Sequence, residues 1–260
     1  SKVAILDNFC WGYTDRAETL GSLVRAAIAC QDLAIELGTP FISGKDSLNN
    51  EFSFDDADGN RQTISIPPSL LISAMGQIED VSRAVTMDAK EPGNVVFLVG
   101  ETRQELGGSH LGLVCGLSGG SVPTVDPGRA KQTFAKIHQA IQSQLVRACH
   151  DLSEGGLAVA AAEMAMAGCL GMKIDIAPML RDGLSSTEAL FSESNTRFLV
   201  ETNIESADEF EKLLGDGNVP VVRLGTIESS EQLVVSNGHD VLLDVEVADA
   251  KAAWQKPLDW

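Results

Sequence analysis

An α/β or α+β fold is predicted by three features of the chain. Strand-length apolar runs alternate with stretches of helical period, glycine and proline punctuate the joins, and 44% hydrophobic content over 260 residues suffices for a sizeable core. Val3 to Leu6 reads as a buried first strand. Leu20, Leu23, Val24, Ala27, Leu33 and Leu37 then recur at helical spacing between Arg16 and Leu37, and Gly38-Thr39-Pro40 stops that helix. Phe41-Ile42 begins the next buried strand, which is expected to end at once in the small, charged and hydroxylated residues Ser43 to Ser47. Asp55 to Asn60 is a hairpin tip of the Asp-Gly type, and Ser69 to Ile78 is a long strand behind Pro67-Pro68.

Met87 to Asn94 carries charge and breakers between apolar stretches and predicts a domain boundary near residue 90. Beyond it, Val95 to Val99 is a buried strand, Gly107 to Gly120 a glycine-rich passage, and Phe134, Ile137, Ile141 and Leu145 one face of an amphipathic helix. Val146 to Cys149 leads as a strand into a helix from Ser153 to Ala167. Strands are expected at Arg197 to Thr202, Val219 to Ile227, Gln232 to Ser236 and Val241 to Val245, with a helix near Ala207 to Leu214. Because the chain opens on a core strand, it is expected to be a piece of a longer protein.

The 19 basic and 37 acidic residues give a formal charge of −18, which repels nucleic acid and anionic membrane surfaces at long range. A small nucleotide remains accessible, because local donors and a bridging divalent cation overcome an unfavourable net field, so Mg²⁺ is an expected companion. The five cysteines stand singly with no C-x-x-C pair, which signals neither disulfide framework nor zinc and fits a reducing cytoplasm. No apolar run is long enough to span a membrane, and no leader is readable.

Two segments have the ingredients of phosphate sites. In the first, Gly44 lets an anion approach the main chain while Ser43, Lys45 and Ser47 can donate to it. It is not a Walker A loop, because Thr39 stands where the first glycine belongs and Asp46 where Ser or Thr belongs. If the first two strands are neighbours, Asp7 and Lys45 should converge at one sheet edge, a metal-seeking carboxylate beside a phosphate-seeking ammonium. A polar exit from a strand accounts for the segment equally well, and Asp7-Asn8 at the end of the first strand tips the reading toward a site.

The second segment, His150 to Gly156, places Asp151 and Ser153 before a helix whose free N–H groups favour anions. Simple N-capping by Asp151 or Ser153 is the plainer explanation, with His150 a satisfied polar residue. Glu105 to His110 reads either as another glycine-rich phosphate turn or as a β-turn, and Glu193 as a ligand or a solvated loop acid. The four histidines lie in unrelated contexts, and no Ser-His-Asp or Cys-His arrangement is readable.

The segments Leu6 to Gly12, Thr39 to Phe52, Ser69 to Gly76, Glu91 to Gly100, Glu105 to Leu111, His150 to Gly168 and Leu190 to Glu201 follow one another in an order that resembles the phosphoribosylformylglycinamidine synthase family. The likeness is to the C-terminal half of its synthetase subunit, and it extends to the wider aminoimidazole ribonucleotide synthetase-like superfamily. It runs from about Val3 to about Ile227. The resemblance implies that residues 1–90 are the later part of a second ATP-binding domain, 91–246 a complete mixed-sheet C-terminal domain, and 247–260 a tail.

It further implies ATP-dependent carbon–nitrogen ligation in purine biosynthesis. ATP activates the amide oxygen of formylglycinamide ribonucleotide, and glutamine-derived ammonia displaces the phosphate to give the amidine, ADP and phosphate. By that resemblance Asp7, Gly44 and Lys45 contact ATP, Ser47 contacts the ribonucleotide, Asp151 ligates Mg²⁺, and Ser153, Glu193 and Ser194 belong to an auxiliary nucleotide site. Long-form members carry Gly-Lys-Asp-Ser at Gly44 to Ser47, where short-form members have a Mg²⁺-binding asparagine. An ammonium cannot ligate Mg²⁺, so a phosphate contact is expected of Lys45.

The family's catalytic histidines belong to the first half, so no catalytic residue is expected here and this chain alone is expected to be inactive. The implied partners are that N-terminal half, a glutaminase, and nucleotide substrates, with a homodimer through an open sheet edge as a further possibility. Two alternatives compete: a structural half with a lapsed nucleotide pocket, and a small-molecule kinase or selenophosphate synthetase-like protein of the same superfamily.

Overall fold

The computed structural model describes residues 2–180 and 183–258, and the chain divides between Val81 and Ser82 into two compact units. In the first, β1 (Lys2–Cys10) leads through α1 (Ala17–Leu37) to β2 (Phe41–Ser47), followed by the hairpin of β3 (Glu51–Asp55) and β4 (Arg61–Ser65), then β5 (Ser69–Gln77). The sheet order is β2-β1-β5, with β1 parallel to β2 and antiparallel to β5. A parallel pair needs a crossover, which α1 supplies. Gly38, at φ 69°, ends α1 by turning its N–H back onto the carbonyls of Ala34 and Ile35.

Two expectations are corrected in this unit. The strand at Phe41 does not stop at Ser43 but runs through Ser47, and its middle five residues are exposed. Along β1 only Phe9 is buried, and along β5 no residue is. One helix and three strands cannot cover both faces of a sheet, so apolar period marks the strands here without burying them.

The second unit holds β6 (Val95–Val99), α2 (His110–Cys115), α3 (Pro127–Gln142), β7 (Ala148–Asp151), α4 (Gly156–Gly168), β8 (Gly171–Asp175), α5 (Ser186–Phe191), β9 (Phe198–Thr202), α6 (Ala207–Asp216), β10 (Val221–Glu228), β11 (Gln232–Ser236), β12 (Val241–Glu246) and α7 (Val247–Gln255). The strands form one mixed sheet in the order β12-β11-β8-β10-β6-β9-β7. β6 is buried at every residue because both faces are covered. Val96 and Leu98 join a core with α4, α5 and α7, whereas Val95, Phe97 and Val99 join one with α3 and α6. That split is the period-two alternation of a central strand.

The charged stretch before β6 packs onto this unit. Glu201, fully buried in β9, accepts from Lys90 N at 2.9 Å, Glu91 N at 3.1 Å and Asn94 Nδ2 at 2.6 Å. The segment at 247–260 is helical through Gln255 rather than a loose tail; its residues 259 and 260, like residue 1, lie outside the described residues. Among the described residues no helix is long and apolar enough to cross a membrane.

Candidate functional site

On the first unit Asp7 pairs with Gly44 and Asn8 with Lys45 across β1 and β2. The Asp7 carboxylate lies over the Gly44 main chain so closely that a Cβ on Gly44 would collide with its oxygen. A larger residue at 44 would displace the Asp7 carboxylate from its present place. The pleat sends the next side chain to the opposite face, and Lys45 Nζ donates to Ser47 Oγ two residues along. The expected convergence of Asp7 with Lys45 does not occur: the backbones are neighbours, but strand parity separates the two charges. Nearby, Arg16 forks onto Glu51 and Tyr13 N–H donates to it, which together lower the Glu51 carboxyl to about 2.

On the second unit, three segments that the sequence kept apart meet at one carboxylate. Glu193 Oε1 accepts from His110 N at 2.8 Å, where α2 begins, and from Gly155 N at 2.8 Å, where α4 begins. Glu193 is thus no solvated loop acid. Nor do Asp151 and Ser153 cap α4: its N-cap is Gly155 at φ 79°, and Ser153 Oγ donates instead to Asp151 Oδ2. Gly156, at φ 64°, lets the chain after α5 pass close by, since a Cβ there would meet the carbonyls of Ser192 and Leu190. His150 is satisfied by Glu163, Nε2 to Oε2 2.7 Å.

These groups face two adjoining hollows. One, of about 440 Å³, is lined by Asp151, Ser153, Glu154, Glu193, Asn195 and Arg197 among others, and one of about 340 Å³ by His110, His150, Asp151, Ser153, Glu154 and Glu163 among others. Each has three carboxylates in its lining, joined in the first by Arg197 and by Pro123, Phe134, Leu152 and Phe198. An anion enters such a place readily only with a cation beside it. Ser194 turns its hydroxyl to accept from Arg103 N at 3.1 Å and so supports the loop rather than lining either hollow.

Sequence reading missed Arg197, the largest fully buried side chain. Burial lowers its guanidinium to about 10, against the opposing fields of Glu105 and Glu193. An arginine standing directly before the apolar run Phe198 to Val200 was the available signal. Beside the site, burial and the Asp151 charge push the Cys149 thiol up to about 12. A thiol raised in this way carries little thiolate near neutral pH, which disfavours nucleophilic chemistry. Brief iodoacetamide treatment at pH 8 is expected to label the exposed Cys115 and Cys169 and to spare Cys149, read by peptide mass spectrometry; labelling of Cys149 at a comparable rate would contradict this environment.

The family model "AIR synthase related protein, C-terminal domain" matches residues 91–236. The chain is 32% identical over 257 residues to the phosphoribosylformylglycinamidine synthase subunit PurL of Alkaliphilus metalliredigens, covering 98% of this chain and 33% of that protein. It therefore spans about a third of that relative's length. Among solved structures, Thermotoga maritima PurL complexed with ATP superposes with a TM-score of 0.68 at 18% identity, covering 95% of this chain and 37% of that one. E. coli HypE gives 0.64 at 16% identity, covering 94% and 72%. At those identities the superpositions speak for the fold alone. With the family model matched over more than half of its residues, the chain belongs to the AIR synthase related family and is similar to PurL along nearly its whole length.

Proposed function

We propose that this chain is the C-terminal part of an ATP-dependent carbon–nitrogen ligase of the PurL kind, acting in purine biosynthesis on formylglycinamide ribonucleotide with glutamine-derived ammonia. In this reading residues 1–81 complete an ATP-binding domain, and the second unit, with the stretch up to residue 90 packed onto it and α7 in its core, forms the second synthetase C-terminal domain. The missing N-terminal half and a glutaminase are its partners, and turnover requires them. The Asp7–Gly44 face takes the nucleotide, while Lys45, grouped by parity with Ser47, serves the anionic ribonucleotide. Its place is the cytoplasm.

The observation that carries the reading on the second unit is the junction at Glu193, where two glycine turns are tied together beside Asp151 and Ser153. The donor set fits Mg²⁺, since Asp151, Ser153 and Glu154 offer hard oxygen ligands. Among the described residues no three acidic, histidine or cysteine side chains are grouped to hold a metal unaided. That suits an ion which keeps several waters and takes its remaining ligands from phosphates. When bound, Mg²⁺ would neutralise phosphate charge against the acidic wall. Asp151 would hold it, and Ser153, whose hydroxyl donates to Asp151 in this structure, would turn that proton to the phosphate.

Calorimetry with Mg·ADP tests this. Asp151→Ala is expected to weaken binding by at least about tenfold, roughly the loss of one charged ligand. A second reading, the lapsed pocket, is favoured by one observation: the Glu193 carboxylate already occupies amides that an anion would use. Equal heats for both proteins, or none, would decide for it.

A further inference from the structure

We propose that Arg197 is the positioning residue of this site, holding the loop from Ser192 to Thr196 so that Glu193 stays on the amides of His110 and Gly155. What the site receives rests on the nucleotide reading above; the positioning rests on the geometry alone.

The guanidinium donates to the carbonyls on either side of Glu193. Arg197 Nη2 reaches Ser192 O, and Nε reaches Ser194 O at 2.9 Å. Nη1 anchors the group to Thr102 Oγ1 at 3.0 Å, in the segment that follows β6. A planar fork can straddle one residue in this way and fix the peptide planes before and after it. The hydroxyls of the same two serines are engaged as well, Ser192 Oγ accepting from Glu105 N at 3.3 Å and Ser194 Oγ from Arg103 N. The main chain is thus held on both sides of Glu193.

The loop also carries backbone strain that something must hold. Thr196 lies at φ 62°, an unfavourable region for a β-branched residue, and its carbonyl presses on Gly100 where a Cβ would collide. Strain of this kind persists only where the surroundings over-determine the conformation. Glu105, 5% exposed and with Oε2 unpartnered among the described residues, supplies negative field toward the buried cation, and its other oxygen accepts from Thr124 N and Oγ1. A cation buried only to pack would not need its donors on the two carbonyls that flank the site's carboxylate.

Arg197→Lys keeps the charge and loses the fork. Amide hydrogen exchange by NMR on this chain is expected to quicken by about tenfold or more at His110 and Gly155, with Val96 and Leu98 in the central strand unchanged, the scale of one charge-assisted hydrogen bond. Mg·ADP affinity should fall by a similar factor. Thr102→Val removes one anchor and should quicken the same two amides about threefold, which keeps the test open if the lysine variant does not fold. Wild-type exchange at both amides in these variants overturns the proposal. If the unmodified chain takes no Mg·ADP, the nucleotide reading falls, and the exchange rates alone still decide for or against Arg197.

Discussion

Glu201→Ala is expected to destabilise the second unit by about 3 kcal/mol, because a fully buried carboxylate there receives three N–H donors that alanine cannot replace. The donors are not equally exposed to rescue by water. Asn94 is 5% exposed, so its amide bears the largest penalty, whereas the Lys90 and Glu91 amides are only part-buried. In a unit of this size about 3 kcal/mol lowers the melting temperature by roughly 10 °C. Glu201→Gln keeps one acceptor and should lose about half as much. Urea titration followed by far-ultraviolet circular dichroism reads both. Values within about 0.5 kcal/mol of the parent for the alanine variant would mean that the carboxylate does not bolt the segment before β6 to the sheet.

Gly156→Ala is expected to cost at least about 3 kcal/mol, the second large effect, since it adds a main-chain collision to an unfavourable φ. The contrast with two other glycines isolates the cause. At Gly108, φ 73°, an added Cβ meets nothing within 4 Å, so Gly108→Ala should show the conformational cost alone, about 1–2 kcal/mol. At Gly155, φ 79°, the Cβ meets Val159, whose Cγ2 can turn aside but whose Cβ at 2.9 Å cannot, so the clash is only partly relieved and the loss is intermediate. At Gly156 it meets the carbonyls of Ser192 and Leu190, which hold the Glu193 loop and cannot yield without moving it. Denaturant unfolding of the three variants should rank them in that order. A Gly156→Ala loss no larger than that of Gly108→Ala would show that the loop gives way freely, against the tight approach described here.

Most of the fold could be read along the chain where the local pattern was long or strongly punctuated. The helix from Ala17 to Leu37, the hairpin tip after Asp55 and the strands at Val95, Gln232 and Val241 follow from apolar period and turn residues. The unread elements are short or mixed. β8 spans five residues with Lys173 among them, and α2 and α5 have six residues each, α2 being flanked by Gly107, Gly108 and Gly116. A single turn of helix has too few positions to display a period. α4 starts three residues later than its Ser153 signal implied, because the left-handed conformations of Gly155, its N-cap, and of Gly156, its first residue, keep the helix from extending further back.

By itself the sequence determined most of the element types, the acidic character of the chain, the seven segments that mark its family, and the glycines around which its candidate sites are built. Those properties are local or additive, so they survive reading in one dimension. Only the tertiary structure decided which side chains meet: that Asp7 shares a face with Gly44 and not with Lys45, that Glu193 joins amides 83 and 38 residues away, and that Arg197 lies buried behind it. Pleat parity, close backbone approach and the desolvation of a charge depend on what packs alongside, and no spacing within a segment encodes its neighbour.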